Sequence, residues 1–248
     1  MDVAADHVTQ TKGRRLGALA DLIVWLVVTV GASLAVGLLA RESVGGEFLM
    51  RLAVPAQMLI LFVVATVLLR RRGERWRSVG LARPRSWRRV AGLVVAGYLG
   101  VAFLNGLLVL LVFPRLGVAS PAFDALGVLQ GHPWVYVSWL LLAWSSAALG
   151  EELQFRGFLW SRLERLFGGG RAAAWGTLLV QAGLFGLGHI YQGLGGVLAT
   201  ACAGLVLGAV FLAGRRNLVA CMVLHGLIDT VSLTALFLGW IPTPVVSG

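Results

Sequence analysis

Residues 194–213 read LGGVLATACAGLVLGAVFLA, twenty consecutive positions without a charged side chain. About 20 apolar residues are what an α-helix needs to cross the hydrocarbon core of a bilayer. Outward from that stretch, the pattern repeats. Residues 218–240 follow it after Gly214-Arg215-Arg216-Asn217, and 172–189 precede it. Residues 134–150, 90–113, 49–69 and 16–39 complete a set of seven candidate spans. The fourth and fifth are short as apolar runs and reach full length only with their polar residues. The predicted fold is all-α, a polytopic helical membrane protein of about seven transmembrane helices. An eighth, re-entrant segment is compatible with the length but not required.

Composition agrees. The chain is 58% hydrophobic and 13% charged, against roughly 45–50% and about 25% in a soluble domain. Its mean hydropathy is +0.85. Residues 16–248 are read as one membrane domain behind a cytoplasmic tail, 1–15, whose polar residues 1–11 are expected to be disordered. The basic start imitates a signal peptide, but the apolar run is too long and lacks a small-x-small cleavage site, so it reads as a retained span.

The net charge of +10 does not point to nucleic acid, because of where it lies. Nine arginines from Arg70 to Arg89 crowd the loop between the second and third spans. Short loops rich in Lys and Arg stay cytoplasmic, and Lys12, Arg14, Arg15, Arg162, Arg165, Arg171, Arg215 and Arg216 alternate to the same side. The expected topology is N-terminus cytoplasmic and C-terminus outside, with the basic side facing anionic lipid headgroups. A single lysine beside twenty arginines points to a GC-rich bacterial genome, hence a plasma (inner) membrane. Trp76, Trp87, Trp134, Trp160, Trp175 and Trp240 flank the spans as an interfacial aromatic belt would. Cys202 and Cys221 fall inside spans and read as small apolar residues. Gly204-x-x-x-Gly208 matches a close-packing signature of membrane helices.

The first three spans carry hardly any ionisable residue beyond Asp21 and read as scaffold. The intramembrane chemistry all lies after residue 150, in Glu151-Glu152-Leu153-Gln154-Phe155-Arg156, Phe185-Gly186-Leu187-Gly188-His189 and His225-Gly226-Leu227-Ile228-Asp229. Ionisable residues inside a membrane are functional by default, because charge is expensive there. The fourth helix is expected to continue through Phe167 and break at Gly168-Gly169-Gly170. Folding back at Gly169 brings Glu151 and His189 to nearly the same height, about 16 Å from an interface near Arg162. His225 reaches a similar depth from Arg216, roughly 13 Å in, so the three motifs can share one layer in the inner half of the bilayer.

Glu152 and Arg156, at i,i+4, can form a buried ion pair. Glu151 points about 100° away and has no local partner, which suits a carboxylate that holds and deprotonates a water. His189 and His225 can act with it, and Asp229 can orient His225 or donate to an oxyanion. Glu151, His189 and His225 are also a possible ligand set for a catalytic zinc ion, although the H-E-x-x-H arrangement is absent. No Gly-x-Ser-x-Gly elbow, phosphate loop or dinucleotide fingerprint is present.

At these residues the chain resembles the CPBP family, the intramembrane proteases related to type II CAAX prenyl endopeptidases and bacterial Abi proteins. That family is marked by E-E-x-x-x-R, F-x-x-x-H and H-x-x-x-N/D, here Glu151-Glu152…Arg156, Phe185…His189 and His225…Asp229. The resemblance covers a catalytic core at about 134–239. It implies peptide-bond cleavage at or in the bilayer: Glu151 activates water, His189 holds it, His225 with Asp229 supports the oxyanion, and Glu152 with Arg156 shapes the site. Asp229 departs from the Asn-like residue of the prenyl proteases. The implied substrate is a membrane-associated peptide or a transmembrane segment. Two readings from other classes use the same residues, a proton- or cation-coupled transporter and a non-catalytic membrane scaffold; the absence of an inverted repeat weighs against the first.

Overall fold

The computed structural model describes residues 3–42 and 46–241. Among the described residues seven long helices run through the fold and no strand occurs. They are α1 (Val3–Glu42), α2 (Gly46–Arg71), α3 (Trp87–Leu116), α4 (133–166), α5 (Gly170–Leu187), α6 (Gly193–Ala213) and α7 (Leu218–Phe237). The all-α polytopic expectation holds, and each predicted span lies largely within one helix. No eighth long helix is present among the described residues; Asp124–Leu129 between α3 and α4 is a single 3₁₀ segment. Residues 3–11, expected to be disordered, instead continue α1 as helix. The position of the C-terminus falls outside the described residues.

Five helices are long and apolar enough to cross a membrane by length and composition: the segments Gly13–Leu38, Leu52–Arg71, Trp87–Leu116, Ile190–Ala213 and Leu218–Phe237. The other two, α4 and α5, carry polar motif residues, and α5 has 18 residues, about 27 Å of helix. Leu99, Phe103, Leu110 and Leu141 are each more than 60% exposed, an apolar girdle that a soluble protein would not present.

Two local features set the packing. Gly168, Gly169 and Gly170 all have positive φ, where a side chain would be strained, and they end α4 and return the chain as α5. On α6 the small-residue signature packs against α5: a Cβ on Gly204 would lie 3.1 Å from Ala182 Cα, and one on Gly208 2.4 Å from Leu178 Cδ1. This seam is the close approach that Gly-x-x-x-Gly permits. Helices α3 and α7 pack with α6 around Leu207, Phe211, Leu218 and Leu224. Helices α1 and α2 close on α4 around Trp25, Leu69, Phe158 and Leu163.

Two expectations are corrected. Trp160 is no interfacial residue: it is buried against Phe211, its ring centroid 5.3 Å away. Arg162 does more than set topology, because its side chain is fully buried in an ion-pair network. Its Nε lies 2.9 Å from Asp21 Oδ2 and its Nη1 2.9 Å from Glu74 Oε2. Arg72 joins Asp21 and Arg165 joins Glu74. Burial raises the Glu74 pKa, but hydrogen bonds from Arg165 and Arg162 outweigh it and hold the carboxyl below its ordinary value.

Removing one partner of a buried pair strands the others in low dielectric, at about 3–5 kcal/mol. Arg162→Met is therefore expected to lower unfolding stability in detergent by about 3 kcal/mol, and an unchanged melting temperature would remove the network from the fold's energetics. For Glu74 the depressed folded value stabilises the protein above the unfolded value near 4.5, and that contribution is lost as pH falls through the folded value. Melting temperature should fall less steeply in Glu74→Gln than in wild type between about pH 5 and pH 3; parallel curves would overturn this assignment.

Candidate active site

The first motif lies where α4 changes its winding. Ala143–Glu151 and Leu153–Leu159 are π-helical, with Glu152 between them. Such widened turns are frequent at functional sites, since they re-aim side chains within a helix. Here Glu152 turns fully into the protein, with no exposed surface, while Glu151 is half-buried.

A carboxylate in that position must be compensated. Glu152 Oε1 accepts from Arg156 Nη1 at 2.8 Å, the i,i+4 pair expected from sequence, and from His225 Nδ1 of α7, also at 2.8 Å. An oxygen that accepts from the Arg156 guanidinium accepts from the imidazole as well, so His225 donates from Nδ1 and Nε2 faces the other way. That second nitrogen lies 3.7 Å from Asp229 Oδ2, beyond direct hydrogen-bond distance. Arg156 also donates from Nη2 to the carbonyl of Gly204 at 3.2 Å, and its guanidinium lies 4.4 Å over the Phe185 ring.

His189 sits just past the end of α5, whose last carbonyls lack helical partners. Its Nδ1 is 2.9 Å from the Phe185 carbonyl. A carbonyl only accepts, so Nδ1–H donates and Nε2 is left free. Phe185 packs edge-on to Phe155 at 5.0 Å and to His225 at 5.8 Å, and it lies 5.2 Å from His189. The motif phenylalanine is thus the floor on which both imidazoles and the guanidinium rest.

The structure brings Glu152, Arg156, His225 and Asp229 into a connected chain. Glu151 and His189 lie within electrostatic reach of Asp229. Glu151 Oε2 is buried with no hydrogen-bond partner, so its carboxylate is uncommitted. Among the described residues no group of three or more His, Cys, Asp and Glu is arranged to hold a metal ion. The zinc set of Glu151, His189 and His225 is not assembled as a ligand cluster.

Sequence reasoning missed three participants. Gln181 donates to the Gly204 carbonyl at 3.0 Å, sharing that acceptor with Arg156 and tying α4, α5 and α6 together. Its place four residues before Phe185, on the same face of α5, was the available signal. Trp25 of α1 donates from Nε1 to Gln154 Oε1 at 2.8 Å, so the first helix reaches the motif it was expected only to surround. Nothing in the sequence around Trp25 or Gln154 announces that contact.

Arg156→Ala should lower melting temperature, by an amount equivalent to about 3 kcal/mol, because Glu152 keeps its burial and loses its cation. Glu152→Gln combined with Arg156→Met should recover part of that loss; additive losses would mean the two residues do not act as a pair.

Residues 133–231 match the family model described as type II CAAX prenyl endopeptidase Rce1-like, in keeping with the resemblance carried by the three motifs. The matched segment contains all six candidate residues. No curated protein and no solved structure matches the chain.

Proposed function

We propose that this chain, through its type II CAAX prenyl endopeptidase-like segment at 133–231, is an intramembrane endopeptidase acting on a membrane-associated peptide. One observation carries the reading: Glu151, with a carboxylate oxygen that nothing claims, lies within electrostatic reach of an imidazole, His225, whose Nδ1 is bound to a second, fully buried carboxylate. A structural ion pair alone needs neither the free carboxylate nor the open Nε2 positions.

In the mechanism this supports, Glu151 takes a proton from water as the water oxygen attacks the scissile carbonyl carbon. His189 Nε2 accepts the water's other hydrogen and orients the attack. The carbonyl oxygen becomes an oxyanion, which Asp229 in its protonated form stabilises by donating a hydrogen bond beside His225. The proton on Glu151 then passes to the amide nitrogen as the C–N bond breaks. An acid and an amine leave, and the Glu151 carboxylate is restored. Glu152 and Arg156 are positioning residues, acting through His225. Charge placement supports a cytoplasmic N-terminus and an outside C-terminus, and the excess of arginine over lysine a bacterial plasma membrane, so that substrate enters from the cytoplasmic half.

The test is cleavage of a fluorogenic membrane-peptide library by detergent-purified protein, with and without a zinc chelator. Glu151→Gln, which keeps size and removes the base, should cut the rate at least 100-fold without lowering melting temperature, while wild-type cleavage survives the chelator. Wild-type rates in the variant would sink the Glu151 mechanism. Loss of activity on chelation, restored by zinc, would replace it with metal-assisted hydrolysis.

A further inference from the structure

A second feature lies away from the layer of Glu151 and His225, at the end of the bundle where α2 and α4 finish. A cavity of about 890 Å³ opens there, within the size range of small-molecule sites. Its lining includes six guanidinium groups and three carboxylates. All three carboxylates are already taken: Asp21 by Arg72 and Arg162, Glu74 by Arg162 and Arg165, and Glu164 by Arg216.

The donors are not all taken. Arg14 and Arg15, on the exposed rim, have no ion-pair partner among the described residues. Arg15 leans over the glycine turn, where a Cβ on Gly168 would lie 2.5 Å from its Nη2. A cation would find no free carboxylate here. An acceptor-rich anion would pair with the free rim charges.

We infer that this cavity binds a phosphate-bearing anion, held at its rim by Arg14 and Arg15. Its place at the arginine-rich ends of the apolar helices is where phospholipid headgroups lie, so the expected source is an anionic lipid. The inference does not depend on the peptidase reading, and its test uses no cleavage assay.

The experiment is native mass spectrometry of the full chain in detergent with phosphatidylglycerol or phosphatidylcholine, alongside thermal melts with inorganic phosphate. Wild type should retain phosphatidylglycerol at least tenfold more strongly than phosphatidylcholine. Arg14→Gln with Arg15→Gln should reduce that retention about tenfold, since each arginine near a lipid surface contributes of order 1 kcal/mol. Both side chains are exposed, so folding is not at risk. Arg85→Gln with Arg88→Gln, equally exposed but outside the cavity, should change nothing. Stabilisation by inorganic phosphate that the Arg14/Arg15 variant abolishes would support the same site with a soluble phosphate as its source. Equal retention of the two lipids without phosphate stabilisation would overturn the site. An equal loss in the Arg85/Arg88 variant would overturn it too, reducing the effect to surface charge.

Discussion

Burying the Glu152 carboxylate with no exposed surface is the constraint on which the rest of this structure depends. Without partners it would cost several kcal/mol. The compensation comes from two directions, Arg156 one turn along α4 and His225 from α7. Meeting that demand brings α7 against α4, fixes the His225 tautomer, and holds Arg156 over Phe185. The same arrangement leaves the adjacent Glu151 with an oxygen that nothing in the protein claims. A stabilising device and a chemically available group thus sit on neighbouring residues, separated by the rotation of a single helical step.

That geometry needs backbone as well as side chains. The π-helical stretches on either side of Glu152 place the motif within α4. The glycines of α6 let α5 approach closely enough for Gln181 and Arg156 to share one carbonyl, that of Gly204. In hydrocarbon, where apolar burial offers little net drive between helices, close packing and interhelical hydrogen bonds of this kind hold a bundle together.

Polar organisation also extends toward the bundle's basic end. Asp21, Arg72, Glu74, Arg162 and Arg165 connect α1, the α2–α3 loop and the end of α4. Arg156 is common to both regions, since it binds Glu152 on one side and lines the cavity on the other. The N-terminal helices are therefore part of the polar framework: Trp25 reaches Gln154, and Asp21 neutralises Arg162.

The helical fold and the segments that carry the candidate site were legible in the chain itself. Long uncharged runs such as 194–213 can satisfy their backbone in hydrocarbon only as helices, and the cost of charge there marked residues 151–156, 189 and 225–229. The i,i+4 spacings of Glu152 with Arg156 and of His225 with Asp229 also predicted neighbours, because they depend on helix geometry alone. The joining of Glu152 to His225, 73 residues apart, was decided by tertiary structure. So were the π-helical winding around Glu152, the burial of Trp160 and Arg162, and the contact from Trp25. Hydropathy and local spacing set which residues form long apolar helices and which polar residues fall within them. Which helix faces which is set by side-chain packing and by the partner each buried polar group must find, and those partners lie far away in sequence.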